Sequence, residues 1–216
     1  MFLNWFSPRP KVHDPLSYAR VHAVIADEMN RHLAPHGFEA VDGITWVRGH
    51  DAPIRQIFQF TMYKGYVLGP NWGVSLDFVP HISRKKVAWH RSNKAAKLDL
   101  CQSPGRSKFD LDCLWGPEPL RQRHKHVIRS AVPEAERFWN LADTIDKLPD
   151  AIDHLKAFYA NSKGLGFDNY TQHQYAVPFI YHQLGRTTEA LAEFDRRDHQ
   201  FCPPEAARKL RALLST

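Results

Sequence analysis

At 216 residues, 43% of them apolar and 12% aromatic, the chain can bury a core of its own and needs neither a metal nor a disulfide to fold. Its three cysteines, Cys101, Cys113 and Cys202, are odd in number and far apart, with no C-x-x-C, which excludes a disulfide framework or a zinc knuckle and fits a reducing cytoplasm. The formal charge of +6 is uneven: the window from Arg84 to Arg129 holds twelve Lys/Arg against four acids, so one segment carries the basic character and the rest is slightly acidic.

The opening MFLNWFSPRP is mostly apolar over its first six residues and lacks a basic leader. It is too short for a signal peptide or a membrane span and reads as a segment that packs onto the body. A helix follows over Leu16 to Leu33, with Ala19, Val21, His22, Val24, Ile25, Met29 and Leu33 at three- and four-residue steps. Asp14 suits its N-cap and Pro15 its first position; Pro35 and Gly37 stop it.

Strands come next. Phe38 to Val41 is short, and Ile44 to Arg48 follows Asp42-Gly43, a favoured two-residue hairpin turn. From Arg55 to Tyr63, Ile57, Gln59, Thr61 and Tyr63 share one face while Phe58, Phe60 and Met62 share the other. Gly65 and a Gly69-Pro70-Asn71 turn are expected to interrupt before Trp72, Val74, Leu76 and Phe78, with Gly73, Ser75 and Asp77 opposite. This predicts an antiparallel sheet with a dry face under the first helix. Gln59, Tyr63 and Asp77 mark its polar face, either a recognition surface or a face covered by later helices.

Residues 80–132 lack sustained periodicity and read as a partly ordered basic connector, with Phe109, Leu111, Leu114 and Trp115 available for one more strand. Helices resume at Pro133, with Phe138, Leu141, Ile145 and Leu148 as a stripe and Pro149 opening the next. A helical hairpin turns at Gly185 with Thr187 or Thr188 as a cap, and Pro203-Pro204-Glu205 begins a last helix. The predicted fold is α+β: an N-terminal helix against a four- or five-stranded antiparallel sheet, a basic connector (84–129), then C-terminal helices. The predicted division is 1–132 and 133–216.

The runs NRHLAPHGFEAVDGITWVRG, IRQIFQFTMY and WGVSLDFVP resemble the bacterial domain-of-unknown-function family 4304, through Leu33, Gly37, Phe38, Trp46, Arg48, Ile57, Gln59 and Val74. The resemblance spans roughly residues 18–82 and departs at Asp77-Phe78, where a small residue or glycine is expected. It implies a fold and a bacterial origin, and no activity.

For function, no G-x-S-x-G, H-E-x-x-H, P-loop or dinucleotide glycine motif is present. Asp77 and His81 are an acid–base pair in reach of each other if a strand end brings them together. His124 and His126 share a side if they lie on a strand, but Arg121, Arg123 and Lys125 around them oppose a metal cation, so no metal and no cofactor is expected. Those residues with Arg84, Lys85, Lys86 and Arg91 form the expected contact region, with Trp89 and His90 interleaved. The reading is a non-catalytic binding module with a protein partner. The alternatives are a nucleic-acid binder, tested by salt dependence, and a hydrolase or nuclease with an unrecognised site. Oligomeric state is not legible from these features.

Overall fold

The computed structural model describes residues 16–49, 53–63, 67–104, 111–112, 116–161, 166–196 and 202–216. Helix α1 (Tyr18–Leu33) begins after Ser17, whose hydroxyl accepts the Arg20 N–H at 3.4 Å. Ser17 thus caps the helix; Asp14 and Pro15, expected in that role, lie outside the described residues, as does the N-terminal segment. After a single 3-10 turn the chain reverses at Gly37, whose φ of 80° is the left-handed conformation that glycine adopts without strain.

Strands β1 (Glu39–Ala40) and β2 (Thr45–Arg48) pair in antiparallel fashion. Their link is residues 42–44 rather than Asp42-Gly43 alone, because the Val41 N–H already bonds to Thr45 O at 2.9 Å. The Asp42 carboxylate accepts the Ile44 N–H at 2.8 Å and holds the link in an Asx turn. Strand β3 (Ile54–Tyr63) pairs along its length with β4 (Val67–Leu76). The Gly69-Pro70-Asn71 run therefore does not interrupt the strand. Phe60, opposite Pro70, donates its N–H to Ile44 O on the other side, so the Pro70 nitrogen faces away from β3. On that side β7 (Leu100–Gln102) reaches only Trp72–Val74 and β8 (Leu111–Asp112) only Val67 and Leu68, so proline falls in the gap where no donor is required. Between β4 and β7, a small hairpin of β5 (His81–Ser83) and β6 (Lys86–Ala88) stands apart from the six-stranded sheet.

The dry face is an aromatic row. Trp46, Phe58 and Trp72 lie in register on β2, β3 and β4, with Phe60 one step along. Helix α1 lies against it, and Asn30 accepts the Trp46 indole N–H at 2.7 Å. So does α2, which spans Pro117–Leu141. Trp139 of α2 packs 6.5 Å from Phe58 and 5.0 Å from Phe38, and its indole N–H donates to Gly73 O at 3.0 Å.

Helix α2 corrects two expectations. Helices resume at Pro117, not at Pro133, which sits inside α2 on its exposed side. Arg129, whose carbonyl loses its helical donor at Pro133, is itself exposed. The stretch around His124, expected as part of a partly ordered connector, is also helical. Helix α3 (Leu148–Ala160) starts one residue before Pro149. Helices α4 (Thr171–Gln183) and α5 (Thr187–Asp195) form the expected hairpin. Gly185, at φ 73°, donates to His182 O while Arg186 donates to Tyr181 O, both at 2.9 Å, a Schellman closure. Neither threonine caps α5; its N-cap is Arg186. Helix α6 (Pro204–Leu213) completes the α+β fold.

The second face of the sheet is not wet. Val47, Ile57, Arg55 and Ser75 on it are all buried. The segment 91–97 crosses over Arg55 and Ser75, and α4 covers Cys101. Gln59 and Thr61 remain half-buried, and the Tyr63 side chain lies outside the described residues.

His124 is fully buried on α2, 5.4 Å from the Phe60 ring, and neither ring nitrogen has a hydrogen-bond partner. Burial, with the nearby His32 adding to it, lowers its pKa to about 4. The folded state therefore binds fewer protons than the unfolded chain below pH ~6.5, so stability falls as pH drops from there toward 4. This one group costs about 2 kcal/mol at pH 5. In urea unfolding at pH 7 and pH 5, His124→Leu is expected to be the more stable protein at both, and to lose about 2 kcal/mol less than the parent between them. Equal losses would show that the ring is not held neutral in the core.

Candidate functional site

After β4 the chain makes a long excursion, residues 77–99, and returns as β7. Two buried polar clusters hold it. The first centres on Arg55 of β3, which is 2% exposed. Its guanidinium forks onto the Asp77 carboxylate, with Nη2 to Oδ2 at 3.1 Å. The same Nη2 donates to Arg91 O at 2.8 Å, and Nε donates to Asn93 Oδ1 at 3.0 Å. One guanidinium thus fastens both the departing and the returning limb.

The second cluster is a chain of three side chains. Asp99 Oδ2 accepts the Leu76 N–H at 2.7 Å and lies 2.6 Å from His90 Nε2. His90 Nδ1 lies 3.0 Å from His81 Nδ1. Asp99 and His90 are buried, and His81 is half-buried at the start of β5. Burial raises the pKa of Asp99, opposed by its bonds to His90 and to the Leu76 N–H. Burial lowers that of His81 to about 4, with Lys97 and His90 adding to the effect. Asp99 is placed by the sheet itself: its N–H donates to Val74 O at 2.8 Å. Beside it Gly73 permits β7 to approach, since a Cβ there would stand 2.0 Å from Leu100 O.

At the far end of the hairpin the turn is made by Arg84 and Lys85, at φ 50° and 66°. Two left-handed residues are what a tight hairpin turn demands, but Asn-Gly is the pair that meets the demand without strain. Here two cations stand at the tip instead. A groove of about 520 Å³ runs beside them, lined by Lys86, Val87 and, from α6, Glu205 and Lys209. Trp89 is exposed, with the Arg91 guanidinium 4.4 Å over its ring.

The basic segment is therefore split between two elements. Arg84, Lys85 and Lys86 sit on the hairpin, and Arg121, Arg123, Lys125 and His126 are exposed on α2. His124, grouped with them by sequence, points into the core and leaves that surface. Asp77 and His81 do not pair: the carboxylate is held by Arg55 and the imidazole by His90. His90 and Asp99 were not legible as a pair, because eight coil and 3-10 residues lie between them and no periodicity links them. Among the described residues no group of three or more His, Cys, Asp or Glu is placed to hold a metal ion.

A third buried cluster is structural. His173 of α4 accepts the Cys101 N–H on Nε2 at 3.1 Å and donates from Nδ1 to Phe167 O at 3.1 Å, so both nitrogens are spent. Burial pushes the Cys101 thiol up to about 11, and it stays protonated. The Tyr159 hydroxyl bridges Cys101 O and the Ser103 N–H, each at 3.0 Å.

No family model matches the chain, and no curated protein or solved structure matches it significantly.

Removing one partner of a buried ion pair strands the other. Asp77→Ala leaves the Arg55 charge without a carboxylate and is expected to cost about 3 kcal/mol in chemical denaturation at neutral pH. The double variant Arg55→Met/Asp77→Leu removes the stranded charge and is expected to recover part of that loss. A single variant within about 0.5 kcal/mol of the parent would show that Asp77 does not hold the excursion.

Proposed function

We propose that the chain is a binding module that takes an acidic protein surface on the outward face of α2. Arg121, Lys125 and Arg129 occupy positions i, i+4 and i+8, one exposed stripe about 12 Å long. Leu120, His124, Val127 and Ile128 hold the opposite side in the core. Like charges four residues apart destabilise a helix by a few tenths of a kcal/mol per pair. Among the described residues only Arg121 of the three gains a nearby carboxylate, Glu118 at 3.6 Å, and that pair is exposed and weak. A row of cations that works against its own helix is the observation that carries this reading, because a row of carboxylates on a partner reverses the sign of the effect. The hairpin cations Arg84, Lys85 and Lys86 are also exposed, on a separate element. Among the described residues no helix is long and apolar enough to cross a membrane. A cytoplasmic, bacterial setting and kinship with the family of unknown function 4304 belong to the same proposal.

The test is fluorescence anisotropy with a labelled polyglutamate helix and with random-sequence DNA and RNA, across about 50 to 300 mM salt. The acidic helix is expected to bind, to weaken with salt, and to lose about tenfold in affinity in Arg121→Ala/Lys125→Ala/Arg129→Ala, at ~0.5 kcal/mol per cation. Tighter binding of DNA or RNA, lost in the same variant, would replace this reading with nucleic-acid binding. No binding of any probe at the lowest salt would remove the stripe from the function.

A further inference from the structure

The chain Asp99–His90–His81 does more than pin the excursion. With Asp99 ionised and His90 neutral, hydrogen-bond donation along it runs in one direction. Asp99 accepts from His90 Nε2–H, which leaves His90 Nδ1 as an acceptor. His81 must then donate from its Nδ1–H, across 3.0 Å. That fixes His81 in the tautomer whose lone pair is on Nε2. No hydrogen bond to Nε2 is made among the described residues, and it is not among their sealed, unpaired polar atoms.

The geometry points to His81 Nε2 as a nucleophilic acceptor of phosphoryl groups from a small anionic donor. The Nδ1 partner is what makes the nitrogen reactive. As Nε2 forms a bond, positive charge grows on the ring, and a positioned acceptor at Nδ1 takes the proton. His90 is that acceptor, and Asp99 stabilises the imidazolium it becomes. The groups that bear on His81 are His90 and Lys97, with Asp99 behind His90. Burial first, then Lys97 and His90, keeps the ring neutral at physiological pH, so the lone pair stays free. Lys97, exposed on the returning limb, favours an anionic donor over a neutral acyl group. With phosphoramidate as donor, the N–P bond to His81 forms as the donor's own P–N bond breaks. Ammonia leaves, and the Nδ1 proton passes to His90, which becomes an imidazolium held beside Asp99.

The experiment uses the whole chain, incubated with phosphoramidate near neutral pH and mapped by mass spectrometry under alkaline conditions that preserve phosphohistidine. Of the thirteen histidines, His81 is expected to gain one phosphoryl group about a hundredfold faster than exposed His126, the low end of what positioned proton transfer contributes. His81→Gln abolishes that mass. Asp99→Asn and His90→Phe, checked for folding by circular dichroism, slow it toward the rate of His126. The α2 stripe variant leaves it unchanged, so this proposal and the docking reading fail separately. Phosphorylation of His81 no faster than of His126, or a rate that survives Asp99→Asn in a folded protein, overturns the proposal. If those variants do not fold, nitrogen-15 NMR of the parent decides: the Nδ1–H tautomer at His81 supports the relay, and the Nε2–H tautomer refutes it.

Discussion

A guanidinium taken out of water must find an acceptor for its donors inside the protein, and Arg55 finds them on chain that is distant in sequence. Asp77 lies 22 residues away, Arg91 36 and Asn93 38. No sheet register or helix packing would by itself fix a segment with so few regular residues. The charge does so because leaving it unmet costs more than ordering the segment. Once Arg55 is satisfied, residues 77 and 91–93 are fixed, and the hairpin between them has a rigid base. Asp99 then receives both the Leu76 N–H and His90, and β7 can continue the sheet. The relay, the basic tip and the groove beside α6 all stand on that clamp.

Helix α2 works on the other side of the sheet. One side chain, Trp139, fills the space between Phe38 and Phe58 and bonds to the backbone of Gly73. The same helix presents its cations outward. The two surfaces are coupled, since a helix anchored through Trp139 and Phe138 can tolerate repulsion along its solvent side. The histidine between the cations shows the cost of a buried polar ring, which is a stability limit at low pH rather than a contact.

The sheet was largely legible in the sequence. Period-two alternation assigned Phe58, Phe60 and Met62 to one side and Ile57, Gln59 and Thr61 to the other, and the register agrees. The C-terminal helices followed from their prolines and from Gly185. Two of the misreadings share one origin: proline was taken as a break. Pro70 sits in a strand gap and Pro133 on the solvent side of a helix, two places where tertiary context removes the penalty. The candidate site was legible only as charge. Arg84 to Lys86 and Arg121 to Lys125 are visible in any window of composition. The partners that give His81 its chemistry are set by Arg55, whose burial no local pattern announces.

The gap that admits Pro70 also decides which residue that stretch of β4 accepts. Residues 69–71 are buried, and among the described residues no strand pairs with them on the side away from β3, where β7 and β8 both fall short. A backbone N–H aimed into a buried gap needs an acceptor that the sheet does not supply there. Proline brings no such hydrogen. The residue that looked like an interruption removes a donor that the strand would otherwise leave unmet.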